Sequence, residues 1–332
     1  MKRLAVVMLV LAVVSGGTVF AQTDIAGLEE FEGAFSGFSE EFAKSLPMHS
    51  TIGLNWSDAY VGQLLPVPSF GVGITAGATE IPLSVFEDLS SDLATTGGDL
   101  GDLPSVGILL PGYAFDARVG GLVLPFDVGL KFGTIGSLEL GDVEAEYTNF
   151  GVDVRYAVLD GGVLPKVSVG VGYNYLAGRV ATPLGFGNTT LASVDAADGN
   201  SYDVVLSDPQ LDFDWTANVF DVKAQVSKSF LIVEPHFGLG AAFGSAETNT
   251  GLTSDVSIDG APSGITVDDL ESVAGVTIGD QGISLGSDVS TFSLRAFGGM
   301  SLNLTVLRFD LGVMYNLTSG SLGGTLGARF QI

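Results

Sequence analysis

The chain has no cysteine, only two histidines, and 13 Lys and Arg against 38 Asp and Glu in 332 residues. Without cysteine there is no disulfide framework, no thiolate metal site, no Cys nucleophile and no lipoprotein attachment point. The formal net charge of −25 sets nucleic acid aside as a partner, because a polyanion would be repelled and counterion release needs Lys and Arg. Long apolar runs are also missing. The apolar run at residues 4–14 follows Lys2 and Arg3 and falls well short of the ~20 residues that a helix needs to cross a bilayer. With Val19-Phe20-Ala21 behind it, residues 1–21 read as a secretory signal peptide cleaved after Ala21. Past the signal no run of eighteen apolar residues occurs, so helical spans are not expected.

What is present is apolar content dispersed by alternation. Only 15% of residues are charged, 47 are glycine, and the mean hydropathy is +0.43. At the C-terminal end Leu322, Gly324, Leu326, Ala328, Phe330 and Ile332 alternate with Ser321, Gly323, Thr325, Gly327, Arg329 and Gln331. That is the period of a strand with one apolar face. The same test finds strands near 307–317 and 292–304, forming a meander, and near 230–243, 218–229, 166–177, 148–158, 124–134, 112–120 and 69–78. An apolar-x-apolar-Gly signature marks alternate strands: Phe70 to Gly73, Phe126 to Gly129, Val167 to Gly170, Phe237 to Gly240 and Phe309 to Gly312. The repeat unit is a hairpin.

Connections alternate between short (120–124, 159–165, 304–306) and long (79–111, 178–217, 244–290), as a membrane barrel with short periplasmic turns requires. The predicted fold is therefore all-β: a transmembrane antiparallel up-and-down β-barrel of about ten strands, at most about fourteen, with an N-terminal helical plug. A soluble β-sandwich alternates too. It would show its polar face to water, where a barrel of this size would pair the same charges across a narrow lumen. The polar face carries Arg118, Lys131, Arg155, Lys166, Lys223, Arg295, Arg308 and Arg329, with Asp116, Asp127, Asp153, Asp221, Glu234 and Asp310. Most other acids fall in the long connections and read as a solvated anionic surface, with no metal site.

Neither histidine suits catalysis. His49 lies in the N-terminal segment, and His236 sits on the lumen face beside Glu234 near a turn. No enzyme activity and no cofactor are expected.

Residues 23–46 change period. Ile25, Leu28, Phe31, Phe35, Phe38 and Phe42 recur at three and four, with Glu29, Glu30, Glu32, Glu40 and Glu41 between them. This spacing predicts an amphipathic helix. Residues 51–68 alternate poorly and end in Pro66 and Pro68, which predicts an ordered segment that is not a strand.

In its arrangement of signal, apolar-rich segment (23–68) and Gly-rich alternating strands ending near Phe330, the chain resembles FadL-type hydrophobic-compound transporters, including the FadL-like barrels of spirochaetes. It departs from that family in lacking an N-terminal Asn-Pro-Ala motif, so no ligand residues are carried over. The resemblance implies a hatch at 22–68 ahead of an outer-membrane barrel at 69–332. It implies passive uptake of hydrophobic small molecules such as long-chain fatty acids; the apolar face of the predicted helix, Phe31, Phe35, Phe38 and Phe42, is the candidate ligand side. The alternative is a plugged structural or adhesive surface barrel. Expected partners are membrane lipid, a hydrophobic ligand, and the outer-membrane assembly machinery acting on the C-terminal strand; the expected location is the bacterial outer membrane.

Overall fold

A computed structural model describes residues 39–40, 42–63, 69–81, 108–121, 124–140, 143–160, 162–183, 189–195, 201–259 and 282–332. Phe31, Phe35, Phe38 and the signal segment lie outside these residues. A helix over 42–49 leads into an irregular stretch to residue 63. No helix among the described residues is long and apolar enough to cross a membrane.

The strands are β1 (Phe70–Ile81), β2 (Ile108–Gly120), β3 (Phe126–Leu140), β4 (Val143–Asp160), β5 (Lys166–Pro183), β6 (Thr189–Asp195), β7 (Ser201–Ser227), β8 (Val233–Asp259), β9 (Gly282–Leu304), β10 (Leu307–Asn316) and β11 (Leu322–Gln331). They form one antiparallel sheet in the order β5-β4-β3-β2-β1-β11-β10-β9-β8-β7-β6, with an additional β5–β7 pairing. With the β1–β11 ladder joining first strand to last, that pairing, from Lys166↔Ser227 to Pro183↔Gln210, makes a ring of ten strands and leaves β6 as an arm on the far end of β7. The meander order makes each turn short at one end of the ring, including 228–232 and 305–306. There Leu231 and Thr305 take positive φ (55° and 58°), which tight reversals impose.

Strand reach is the main difference from the sequence reading. Much of 178–217 and 244–290 is not connection at all: β7 and β8 are 27 residues each, and β6 is an extra strand. The reason shows in β7. Along its near half Phe220 and Val222 face out while Asp221, Lys223, Gln225 and Ser227 are buried inside. Along its far half the polarity inverts: Phe213, Trp215, Ala217 and Val219 are buried inside, and Asp212 and Asp214 are on the other face. A strand that leaves an apolar surround for water must exchange the characters of its two faces.

The outer wall confirms where that surround lies. Aromatics six residues apart bracket the outward run of several strands, at Phe126 and Phe132, Phe150 and Tyr156, Phe237 and Phe243, and Phe309 and Tyr315. Exposed aliphatic residues such as Leu130, Val154, Leu239 and Leu311 fill the space between them. An apolar band between two aromatic girdles is the outer surface a bilayer selects. Water would make so large an exposed apolar surface untenable.

Candidate functional site

The lumen is filled from within by the chain's own N-terminal segment. Residues 42–54 and 56–60 are buried almost throughout. They have no sheet ladder, so their backbone polar groups need partners from the wall. The wall supplies them from opposite sides. Lys131 donates to the carbonyls of Ser50 and, at 2.8 Å, Ile52. Lys223 donates to Leu54 at 3.0 Å, Gln225 to Trp56 at 2.6 Å and Arg155 to Asp58 O at 2.6 Å. In return the Ala59 amide donates to Ser227 Oγ at 3.0 Å and the Val61 amide to Asp127 Oδ2 at 3.1 Å.

Asp58 is the hub of the near end. Its buried carboxylate meets Arg308 at 2.8 Å, Arg329 at 2.7 Å and Lys166 at 3.2 Å. Burial alone would raise its pKa, but Arg329, Lys166 and Arg308 outweigh burial and hold the carboxyl well below the usual range. Trp56 sits beside it, donating its indole N–H to Asp116 at 2.8 Å with the Arg329 guanidinium over the ring at 4.4 Å. Neither Trp56 nor Asp58 stood out in the sequence. The only signal was that Asn55-Trp56-Ser57-Asp58 is polar in a segment with no strand period, which a charged lumen can hold.

The wall charges form a lattice. Arg118 bonds Asp127 at 2.6 Å and Asp153 at 2.7 Å, Arg155 takes the other oxygen of Asp127 at 2.9 Å, and Lys223 the other oxygen of Asp153 at 2.7 Å. Arg295 bonds Asp221 at 2.7 Å, and Arg329 bonds Asp310 at 3.0 Å. Arg308 reaches Glu234 at 3.3 Å. Arg118, Arg155, Arg295, Lys131, Asp127 and Asp153 are 4% exposed or less, while Arg308 and Asp310 are partly open at the near end. Gly129 makes room: a Cβ there would collide with the Arg118 guanidinium and the Asp153 carboxylate. Glu234 engages Ser227, Asn303 and Arg308 and not His236, whose Nδ1 has no hydrogen-bond partner.

Toward the far end the filling turns apolar. Phe42 is fully buried, edge-on to Phe213 (4.8 Å) and Trp215 (5.2 Å), in a cluster with Leu46, Ile81, Leu110, Tyr147 and Leu176. Of the four predicted ligand-side phenylalanines it is the one described, and it is fixed in this core. His49 donates or accepts through Nδ1 with Thr79 Oγ1 at 2.9 Å, while Nε2 has no partner. Burial, and then nearby Lys131, lowers its pKa to about 3, so it is neutral.

Among the described residues the wall has one seam. The β2–β3 ladder runs from Gly120↔Asp127 only as far as Phe115↔Phe132. Yet β2 continues to Ile108, still paired with β1, and β3 continues to Leu140, still paired with β4. Residues 108–114 and 133–140 are therefore adjacent without a shared ladder. Pro111, which has no N–H, suits a strand edge of this kind, and β3 carries a register shift between Ile135 and Leu138. The Tyr113 hydroxyl bridges the start of the gap by donating to the carbonyl of Thr134. A cavity of about 320 Å³ passes through the gap. Outward-facing Leu109, Pro111 and Tyr113 line it together with lumen-facing Leu110, Gly112, Tyr147 and Trp215.

No family model and no curated protein matches the chain. Among solved structures it is similar to the outer membrane protease OmpT from Escherichia coli at 9% identity and a TM-score of 0.40, over 81% of this chain and 98% of that one. It is similar to the toluene transporter TbuX from Ralstonia pickettii at 10% identity and a TM-score of 0.26, over 85% and 92%. For the CymD monoaromatic hydrocarbon channel the figures are 8%, 0.24, 79% and 87%. At these values the likeness is one of general form, and the site is read from its own geometry.

Proposed function

We propose that the chain is an outer-membrane barrel that takes up small hydrophobic molecules passively, through its wall and without enzymatic chemistry. The observation that carries this reading is the β2–β3 seam with an apolar cavity running through it. Along the axis, the lumen is packed with buried ion pairs and the plug, a poor route for any apolar molecule, since the charges would have to part and be left unpaired. Sideways, an apolar molecule meets Leu109, Leu110, Pro111, Ile135 and Leu138 and no buried cation. A strand edge left unpaired in a bilayer is costly, because water is absent to satisfy it, and it persists where it borders a cavity.

A second reading is favoured by Phe42. Its burial in a closed core is what a permanently plugged structural barrel would show. One experiment separates the two. The chain has no cysteine, so Tyr113→Cys with Thr134→Cys places a single reversible bridge across the seam. Uptake of the neutral fluorophore N-phenylnaphthylamine into proteoliposomes should stop when the bridge is oxidised and return with reductant. Equal uptake in both states, or none in either, would remove the lateral route and leave the plugged structural barrel.

A further inference from the structure

We propose that the seam cavity is a binding site for a neutral, ring-sized apolar molecule carrying one hydroxyl or carbonyl group, whose polar end is held by His49, Trp215 and Tyr147. This rests on the uptake reading and narrows it to a substrate class.

The first argument is orphaned polarity. A buried polar atom without a partner is costly, and among those of the described residues Trp215 Nε1 belongs to the cavity lining and His49 Nε2 lies against Gly112. His49, with no exposed surface, has one ring nitrogen engaged by Thr79 and the other unpartnered. Trp215, 4% exposed, lines the cavity, and its indole N–H has no acceptor. His49 of the plug and Tyr147 of β4 meet at Gly112, and Tyr147 and Trp215 of β7 both line the cavity. Gly112 on β2 is what keeps them reachable. A Cβ on Gly112 would stand 2.9 Å from His49 Nε2 and 3.0 Å from Tyr147 Oη, so the glycine is the opening between the cavity and this polar corner.

The second argument is the charge of the lining. Glu146 is the sole charged residue among those lining the cavity, and it is exposed at the outer side. Lys131, the cation nearest His49 in effect, is buried and already donates to the carbonyls of Ser50 and Ile52. A carboxylate entering the cavity would be desolvated beside a like charge with no cation to receive it. A neutral hydroxyl or carbonyl needs only the donors and acceptors that are there, and the aromatic faces of Trp215, Tyr147 and Tyr113 suit a ring.

The size matches as well. A cavity of about 320 Å³ is at the lower end of small-molecule sites and holds one or two fused rings but not an extended chain. The class is therefore distinct from the long-chain fatty acids that the sequence resemblance implies.

The test is calorimetric titration of the refolded full chain in detergent with three matched probes: naphthalene, 2-naphthol and 2-naphthoate. We expect 2-naphthol to bind about five- to tenfold tighter than naphthalene, the value of one net hydrogen bond, and 2-naphthoate to bind at least tenfold weaker than 2-naphthol. Trp215→Phe, which keeps the ring and removes the N–H, should bring 2-naphthol close to naphthalene. Gly112→Ala should weaken both. If 2-naphthoate binds as tightly as 2-naphthol, or if 2-naphthol has no advantage or keeps it in Trp215→Phe, the site assignment is overturned while the uptake reading stands. If none of the three binds to a barrel that remains heat-modifiable, both fall.

Discussion

Asp58 of the plug and Arg329 of β11 are 2.7 Å apart, and both are fully or almost fully buried. The pair joins the segment that fills the barrel to a strand of the ring's closing ladder, β1–β11. Plug and wall are thus coupled where the ring is sealed, and the consequences can be measured.

Asp58→Asn should be among the most damaging single changes in the plug. It removes the carboxylate that Arg308, Arg329 and Lys166 share, leaving three cations to Asp310 and Glu234. Breaking a buried pair by removing one partner costs roughly 3–5 kcal/mol. The expected outcome is a large fall in the temperature at which the folded, fast-migrating band is lost on unboiled gels.

Two other carboxylates give a contrast. Asp127→Asn leaves Arg118 and Arg155 short of charge at a fully buried site and should again cost about 3–5 kcal/mol. Asp212→Asn removes a pair with Arg179, whose side chain is 40% exposed, and should cost about 1 kcal/mol or less. Thermal unfolding of both variants in the same detergent tests the ranking.

Through His49, acid should weaken the docking of the plug. His49 is neutral in place down to about pH 3 but takes a proton near its ordinary value once free in water. Between about 6.5 and 3 the undocked state therefore binds more protons, so docking weakens as pH falls, by at most about 1.4 kcal/mol per pH unit. Asp58 has its pKa depressed, so its contribution is complete above the free value of 3.8 and fades only below it. Of these two residues, only His49 acts between pH 6.5 and 4. Trp56 fluorescence, with Trp215→Phe as background, should report exposure of the plug in this range, and His49→Gln should flatten the curve.

Hydrogen exchange should single out the seam. Along 108–114 and 133–140, the amides that face the gap lack ladder partners, while those facing β1 and β4 have them. Alternate residues there should exchange fast inside an otherwise protected wall. Tyr113→Phe should extend fast exchange toward Phe115 and Phe132, at a cost of about 1 kcal/mol in stability. Uniform protection across these residues would mean a continuous ladder.

The parts legible in the sequence were those written into a single strand. Arg118, Lys131, Arg155, Arg295, Arg308 and Arg329 could be assigned to the inner face from parity alone, because period two fixes the side of every residue once one is known. The far halves of β7 and β8 escaped for the same reason. Asp212-Phe213-Asp214-Trp215 does alternate, but with acids outward and aromatics inward, the reverse of the pattern nearer the turn, and so it reads as an acidic connection. The seam left no trace in either β2 or β3 alone, since it is a property of their pairing. Asp58 was hidden because its partners are three wall residues distant in sequence and united only by closure of the ring.

That closure also ties the wall to its filling. The plug is held from β2, β3, β4, β7, β10 and β11, strands on opposite sides of the ring, while β1 and β11 seal it. A segment gripped from all around cannot be slid in sideways after the wall is complete, nor can the wall contract to its final girth around unmatched charges. Sealing and filling then depend on each other, because the charges that line the ring are fully matched only with the N-terminal segment inside it.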